Sequence, residues 1–281
     1  MSEARQQEVT LSKPLLIYIP AYNCGKYIVS VLDAIPSHFC DIADILIVDN
    51  CSTDDTLVNI QKARSEDRWP NPVQVVQPEI NLGYSGSQKL AYSIALNSQI
   101  TQKVIMLHGD GQYPPELLDV LAPYIDSDHG LVYGFRDKSA YPEIEETPAG
   151  TYLIIKALGA LESFVTRHSR KEWHTGFVMY SREFLEQLDF EALTDTYHID
   201  GHIQFASGEL GTSVKAISIW KRYKNYEQLK GLNRITYIFH VLRLMLQFRI
   251  QGFVKKHPGT TGTNALATEA FSLIPVDGPG A

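Results

Sequence analysis

The sequence is poor in cysteine and in long apolar runs. Its three cysteines, Cys24, Cys40 and Cys51, lack the spacing of a CxxC metal motif. An odd, scattered set argues against a disulfide framework and suits a reducing compartment, so we interpret all three as packing residues. No apolar stretch reaches the roughly 18 residues that a transmembrane helix needs. The first 13 residues have mixed charge and no apolar signal-peptide core, so we expect a cytoplasmic protein.

Internal repeats and low-complexity segments are also missing. The 44% hydrophobic content and 281 residues suit one large globular α/β domain. The net charge of -7 is uneven, because residues 221–256 hold nine Lys or Arg and one acidic residue. This basic segment is either a solvated face or a surface for an anionic partner, such as a diphosphate or a membrane. An acidic chain without a reader motif is not expected to bind nucleic acid.

Short apolar runs alternate with segments of helical spacing. The alternation predicts an α/β fold with a Rossmann-like, mostly parallel sheet flanked by helices. The predicted strands are Leu15–Ile19, Ile45–Val48, Val73–Val76, Val104–Leu107, Leu131–Gly134, Phe177–Tyr180 and Val214–Ile219. The predicted helices are Cys24–Ile35, Thr56–Ser65, Ser85–Asn97, Glu116–Tyr124, one within 136–173, Glu183–Leu188, and an amphipathic helix or helix pair over Leu229–Val254.

Polar segments follow three of these strands directly. They are Pro20–Asn23, Asp49–Asp54 and His108–Gln112. Polar residues at a single strand end are often helix caps. In open parallel sheets, however, ligands bind at the carboxyl ends of the strands. Three such segments therefore predict a ligand site at this edge of the sheet.

The residue types at this edge favour a nucleotide diphosphate and a divalent cation. A cation with hard oxygen ligands neutralises a leaving diphosphate, and Asp110 and the carbonyl oxygen of Gln112 can supply such ligands. Gly109 lets the backbone approach the phosphates. The carboxylate of Asp49 can accept a hydrogen bond from a base N–H. The turn Gly83–Gly86, before a helix, offers free N–H groups to an anion.

Together these motifs resemble glycosyltransferase family 2, whose fold is the GT-A, or nucleotide-diphospho-sugar transferase, type. The resemblance is strong over Pro14–Gln112, weaker to Arg249, and looks closest to the branch of polyprenyl-phosphate sugar transferases. It implies inverting transfer of a sugar from a UDP- or GDP-sugar, with Mg²⁺ or Mn²⁺, to a hydroxyl or phosphate on a glycan, a polyprenyl phosphate or a small molecule. The motifs in family order are Pro20–Asn23, Ile47–Thr56, Asn81–Gly83 and Asp110–Glu116.

The resemblance also implies roles for individual residues. Asp110 is the metal-binding member of the family's DxD motif, and the metal candidates are His108, Asp110 and Gln112. The nucleotide-binding candidates are Pro20, Ala21, Tyr22, Asn23, Asp49, Asn81, Gly83, Lys89, Gly109, Asp110 and Arg222. On the acceptor side, Tyr197–His202 resembles the position of an acidic catalytic motif, so Asp200 is the candidate base. If the acceptor is an ionised phosphate, Asp200 would only orient it.

Two histidines depart from the family pattern. His108 replaces the first DxD aspartate and removes a negative charge; it can hydrogen-bond the donor, ligate Mn²⁺ or be structural. His202 stands where an acid is more usual. These two substitutions leave open the alternative that the protein binds a nucleotide sugar without turnover. A sugar-phosphate nucleotidyltransferase is less favoured, because Pro20–Lys26 is not a Gly-rich loop with the basic residues that bind a triphosphate.

The resulting domain organisation has four parts. We expect a flexible N-terminus over residues 1–12 and a GT-A domain over 13–228, with a nucleotide half (13–112) and an acceptor half (113–228). An amphipathic helical tail over 229–257 and a disordered end over 258–281 follow. With Arg243 and Arg249, the tail either packs on the sheet or contacts the inner face of a membrane. Whether the chain forms a homo-oligomer stays open.

Overall fold

The computed structural model describes residues 9–69, 72–223, 231–251 and 271–274. Within these ranges eight strands form one sheet. The strands are β1 (Leu15–Ala21), β2 (Ala43–Asp49), β3 (Val73–Pro78), β4 (Lys103–Met106), β5 (Leu131–Arg136), β6 (Val178–Ser181), β7 (Val214–Ile219) and β8 (Phe271–Leu273).

Helices flank both faces of the sheet. They are α1 (Ile28–Asp33), α2 (Ser37–Ile42), α3 (Thr56–Ser65), α4 (Gly83–Asn97), α5 (Leu118–Leu121), α6 (Ala149–Thr166), α7 (Arg182–Leu185), α8 (Ile199–Glu209) and α9 (Gly231–Gln251). Among the described helices, none is both long and apolar enough to cross a membrane.

The sheet is mixed but mostly parallel, in the order β7-β5-β6-β4-β1-β2-β3-β8. β1 pairs in parallel with β2 and β4, β2 with β3, and β5 with β7, whereas β6 runs antiparallel between β4 and β5. This confirms the predicted sheet. Because Ala21 is opposite Asp49 and Tyr18 is opposite Met106, the segments after β1, β2 and β4 leave the sheet at one edge.

The core has two layers because both faces of the sheet are covered. Leu15, Ile17 and Ile19 of β1 point to the α1 and α5 side, while Leu16 and Tyr18 point to the α4 and α8 side. All five are buried, which explains why β1 reads as a continuous apolar run. A third cluster joins α6, α8 and α9; its members include Leu158, Trp173, Phe205, Val241, Leu244, Met245 and Phe248.

Some element boundaries differ from the predictions. The first helix is only Ile28–Asp33, because Cys24 and Gly25 bond to Thr56 and Asp54 and shape a loop. The predicted helix Glu116–Tyr124 is one α-turn, α5, between two 3₁₀ turns, Pro115–Leu117 and Ala122–Tyr124. Each 3₁₀ turn contains a proline, which lacks the N–H that a regular helix uses.

The two ends of the chain also differ from the domain prediction where they are described. Residues 9–12 are held rather than free, because the Thr10 and Ser12 amides donate to the side chains of Gln74 and Asp44. The predicted disorder from residue 258 onward does not hold for Phe271–Leu273, which form β8 antiparallel to β3. The remaining predicted flexible or disordered residues, 1–8, 258–270 and 275–281, lie outside the described residues.

Candidate functional site

The first and second loops at the sheet edge bind each other. Asn23, with a positive φ of 50°, donates from its backbone N to Ser52 Oγ at 2.9 Å and accepts from the Thr53 N–H through Oδ1 at 2.8 Å. Tyr22 is also exposed. Asn23 therefore fixes the loop pair through its amide and carbonyl groups, and the Tyr22 side chain is open to a ligand.

The third loop closes against the first through Gly109. Its amide donates to the Pro20 carbonyl oxygen at 3.3 Å. A Cβ at this position would lie 3.1 Å from that oxygen and 3.2 Å from Cys24 Sγ, so glycine suits the close approach. The three predicted segments thus lie together at one edge of the sheet.

Asp49 ends β2 and presents an unused acceptor. Its Oδ2 accepts from Gln77 Nε2 at 2.7 Å and from the Ser52 amide at 3.2 Å. Its Oδ1 is buried without a hydrogen-bond partner in the described structure. Because an unpaired buried carboxylate oxygen is costly, this atom fits an N–H donor that a bound molecule would supply.

Asn81 and Gly83 shape the turn that begins α4. Asn81 Oδ1 accepts from Asn50 Nδ2 at 2.8 Å and from the Gly83 amide at 2.9 Å. Gly83 has φ +69°, which a side chain would strain, although a Cβ added there would meet no atom of the described residues within 4 Å. Their part in the site is to hold the turn next to β2.

Asp110 lies in a tight turn after β4. Its Oδ1 accepts from the main-chain N–H of Gln112 at 2.9 Å. The main-chain carbonyl oxygen of Gln112 accepts from the main-chain N–H of Arg222 at 2.9 Å. The exit of β7 therefore lies along the Asp110 turn. The carboxylate is partly exposed and supplies hard oxygen ligands, so the turn fits a divalent cation.

The cation that faces Asp110 is Lys221 and not Arg222. The Arg222 guanidinium pairs with Glu116 at 2.7 Å on the surface. Lys221 Nζ lies 4.5 Å from the Tyr113 ring centroid. Burial alone lowers the pKa of the Lys221 ammonium, but Tyr113, Tyr223 and Asp110 raise it above its usual value overall. Lys221 was missed because the sequence of a strand exit does not show which of two adjacent basic side chains turns inward.

His108 packs inward between aromatic rings. Its ring centroid is 5.0 Å from that of Tyr113 and 5.9 Å from that of Tyr84, and a Cβ on Gly176 would lie 2.4 Å from its Nε2. Burial lowers the pKa of His108 to about 4, despite the opposing effect of Asp110. The imidazole is thus neutral near pH 7, and its buried Nε2 has no hydrogen-bond partner among the described residues.

Asp200 lies in the first turn of α8 and is buried. Tyr84 donates to its Oδ2 at 2.8 Å, whereas Oδ1 makes no well-aligned hydrogen bond in the described structure, although the Gln88 side chain also interacts with this carboxylate. Burial raises the pKa of this carboxyl to about 7, although Tyr84, Gln88 and Lys221 each lower it. A carboxyl with this pKa can take up and release a proton near neutral pH.

Two candidates are held away from these loops. Lys89 is buried on α4, and its ammonium binds the Leu193 carbonyl oxygen at 2.9 Å and Asp195 at 2.6 Å. The structure therefore does not bring Lys89 to the nucleotide edge, and its assignment there is corrected. His202 Nδ1 accepts from the Thr194 amide at 3.1 Å, so it braces the 194–202 segment.

Comparisons with known proteins agree with this geometry. The profile described as "Glycosyl transferase family 2" matches residues 16–189, more than half of the chain. Poly(ribitol-phosphate) beta-N-acetylglucosaminyltransferase TarS of Staphylococcus aureus (strain Mu50 / ATCC 700699) is 29% identical over 118 residues. That alignment covers 41% of this chain and 19% of TarS, so the chain spans about a fifth of this curated relative.

Solved structures share the fold. Glucosyl-3-phosphoglycerate synthase from Mycobacterium tuberculosis, in complex with Mn²⁺, UDP and phosphoglyceric acid, has a TM-score of 0.60 at 16% identity, covering 85% of this chain and 79% of that one. The same enzyme with Mn²⁺, UDP-glucose and glycerol 3-phosphate has a TM-score of 0.58 at 17% identity, covering 95% and 88%. The predicted GT-A fold is confirmed.

Proposed function

The chain belongs to glycosyl transferase family 2 and is a glycosyltransferase, and we propose that it transfers a sugar with inversion from a UDP- or GDP-sugar, using Mg²⁺ or Mn²⁺. The observation that supports this most is the pairing of two carboxyls around Lys221. Asp110 and Asp200 both interact electrostatically with this ammonium, so the proposed metal ligand and the proposed base have the same positive charge as a neighbour.

In this proposal the nucleoside binds between the first two loops. Asp49 Oδ1, which receives no hydrogen bond from the described residues, accepts an N–H of the nucleobase. Pro20, Ala21 and Tyr22 border the ribose and base, while Asn23 keeps the loop pair closed. This arrangement suits a uracil or guanine ring, because each carries a ring N–H.

The diphosphate lies over the Asp110 turn. Asp110 and Gln112 would hold the divalent ion, with His108 as a neutral third donor, and the ion would supply neutralisation of the leaving diphosphate. Lys221 adds a positive charge, and Gly109 keeps the Asp110 turn close to the loop after β1. Arg222 contributes its backbone, since its side chain is paired with Glu116.

Asp200 acts as base on the acceptor. Its Oδ1 takes the proton of the acceptor hydroxyl as that oxygen bonds to the anomeric carbon. The bond from this carbon to the donor's phosphate oxygen breaks, and the nucleoside diphosphate leaves. Tyr84 holds Oδ2 and so fixes the direction of Oδ1. With an ionised phosphate acceptor, Asp200 orients that group instead.

We further propose a phosphate-bearing acceptor. Glucosyl-3-phosphoglycerate synthase was solved in complex with phosphoglyceric acid and with glycerol 3-phosphate. TarS is a poly(ribitol-phosphate) beta-N-acetylglucosaminyltransferase. In this chain, Lys221 provides positive charge that acts on both Asp110 and Asp200. A polyprenyl phosphate and a small phosphorylated alcohol both meet this requirement.

Peripheral membrane contact is a proposal that rests on the outer face of α6 and α9. A groove of about 720 Å³ between these helices is lined by apolar residues and by Arg167 and Arg249. Phe164 is 81% exposed, and Ile235, Phe239, Leu246 and Ile250 of α9 are exposed as well. An exposed apolar face with arginines can lie in a lipid headgroup layer.

Liposome co-sedimentation tests this contact. Vesicles with an anionic lipid should retain the wild type and release a variant with Phe164→Ser and Phe239→Ser, while Val58→Ser, at another exposed apolar position, serves as control. Equal binding of all three would contradict the proposal.

Donor assays separate transfer from the alternatives. Metal-dependent release of UDP or GDP from a nucleotide sugar is expected only for a transferase. Donor binding by calorimetry without release or transfer would favour the non-catalytic alternative suggested by His108. Release of pyrophosphate from a nucleoside triphosphate and a sugar phosphate would favour a nucleotidyltransferase.

A further inference from the structure

A buried cluster of one carboxylate and two imidazoles lies outside the donor site. Glu162 comes from α6, His174 from the segment before β6, and His198 immediately precedes α8. Glu162 Oε2 lies 2.8 Å from His174 Nε2, and Oε1 lies 2.8 Å from His198 Nε2. The side chains of Glu162, His174 and His198 are 0%, 4% and 1% exposed.

Tyr237 of α9 closes the other side of the cluster. Its hydroxyl lies 2.6 Å from His174 Nδ1 and 3.2 Å from His198 Nδ1. A tyrosine hydroxyl has one proton, so it can donate to only one of the two rings. At least one imidazole must therefore be protonated at Nδ1 to complete these contacts.

The contacts to Glu162 are close enough for hydrogen bonds, but their directions are poor. Although the N to O separations are short, both carboxylate oxygens and both Nε2 atoms are buried without a correctly directed partner in the described structure. If both rings donate Nδ1–H to Tyr237, each Nε2 lone pair faces a carboxylate oxygen. That arrangement is repulsive unless a cation lies between them, since all four atoms are then acceptors.

We propose that Glu162, His174 and His198 bind one transition-metal ion of the Zn²⁺ class. The three ligand atoms lie within 4.8 Å of one another. Small side-chain rotations suffice for one ion to contact all three, because Zn–N and Zn–O distances are about 2.0–2.2 Å. Tyr237 is the outer partner of both rings and fixes their tautomer.

The donor atoms set the choice of ion. Two imidazole nitrogens and one carboxylate favour Zn²⁺ and neighbouring transition metals over Mg²⁺, which prefers oxygen ligands. At the Asp110 turn the principal proposed donors are the oxygens of Asp110 and Gln112, with one imidazole, and this set favours Mg²⁺ or Mn²⁺ more than the Glu162 cluster does. The two sites therefore differ in the ions that they select.

The ion would join elements on the acceptor side of the sheet. His174 is two residues from Gly176, which packs on His108, and His198 is two residues from Asp200. Through Tyr237, the same ion would tie the position of α9 to both segments. We assign it a structural role.

Metal analysis of the full chain tests this site separately from the donor site. The background is Asp110→Asn, which removes the principal ligand proposed for the diphosphate metal. The D110N protein is first loaded with Zn²⁺ and then dialysed against metal-free buffer. It should retain about one Zn²⁺ per chain. His198→Gln in that background should retain none, and His168→Gln, a control at a partly exposed histidine, should retain the full amount.

A spectroscopic measurement on the unmutated site guards against misfolded variants. Added Co²⁺ should give visible ligand-field absorption in the D110N protein that Zn²⁺ abolishes and that Mg²⁺ leaves unchanged. No retained Zn²⁺ together with no Co²⁺ absorption would overturn the proposal and leave a protonated Glu–His–His cluster. Retention that is equal in His198→Gln would also overturn it. Neither result depends on sugar transfer.

Discussion

The Tyr84 hydroxyl donates a 2.8 Å hydrogen bond to Oδ2 of Asp200, while Oδ1 of the same carboxylate makes no well-aligned hydrogen bond in the described structure. Tyr84 belongs to the first turn of α4 and Asp200 to the first turn of α8, so the contact joins the two halves of the domain. It leaves one oxygen free for an acceptor proton.

Replacing Asp200 with Asn should abolish most transfer to a hydroxyl acceptor. General base catalysis contributes roughly 10²- to 10⁴-fold, and the amide cannot take the proton. We expect kcat to fall by about that factor while the Kd for UDP or GDP stays unchanged, measured by product formation and calorimetry. Asp41→Asn, at an exposed carboxylate of α2, is the control. Full activity of D200N towards a hydroxyl would rule out Asp200 as the base.

Lys221 and Arg222 offer a comparison between adjacent residues. Lys221→Met should weaken nucleoside diphosphate binding by roughly 10- to 100-fold, because a hydrogen bond or contact to a charged group is worth about 1.5–3 kcal/mol. Arg222→Met should change it little, since this guanidinium is paired with Glu116 at the surface. Calorimetry with UDP and GDP measures both. Equal losses in the two variants would show that the strand exit turns Arg222 inward on binding.

Asp49 should control nucleoside binding through Oδ1. Asp49→Ala removes this acceptor and should weaken UDP or GDP binding by about 10-fold or more, as expected for one hydrogen bond to a charged group. Gln77→Leu removes one of the two donors to Oδ2, leaves Oδ1 in place and is the matched control. Similar affinities of D49A and the wild type for UDP or GDP would show that the nucleobase binds elsewhere.

Gly176 should be intolerant of even one methyl group. A Cβ there would lie 2.4 Å from His108 Nε2 and 2.9 Å from the Tyr84 hydroxyl oxygen. Gly176→Ala should lower the free energy of unfolding by about 1–3 kcal/mol, the usual cost of overpacking. Gly150→Ala, in open space on α6, should not destabilise the protein. Denaturant unfolding compares the two, and an equally stable G176A would show that His108 is free to move.

The sequence predicted the nucleotide half of the fold well because buried parallel strands have a clear pattern. Leu15–Ala21 and Ala43–Asp49 are covered on both faces and read as apolar runs followed by polar loops. Thr56–Ser65 matches its predicted bounds, and in the predicted acceptor half Val214–Ile219 does so too. Segments broken by proline, such as the 3₁₀ turn at Pro115, do not show such a pattern.

Side-chain direction limited the prediction of the site. Lys89 and Lys221 are both basic residues near predicted loops, but one binds Asp195 and the other faces Tyr113. Glu162, His174 and His198 lie in three separate elements, and only tertiary packing brings them together. No local spacing in the sequence indicates such a cluster.

The most direct test of the proposed sugar transfer is a donor assay with UDP- and GDP-sugars in Mg²⁺ or Mn²⁺, with a phosphate-bearing alcohol and a polyprenyl phosphate as acceptors. We predict release of UDP or GDP from at least one donor, together with a glycosylated acceptor. Release should be lost on chelation and strongly reduced in Asp110→Asn. Neither binding nor release of any donor by the folded wild-type protein would contradict the proposed transfer.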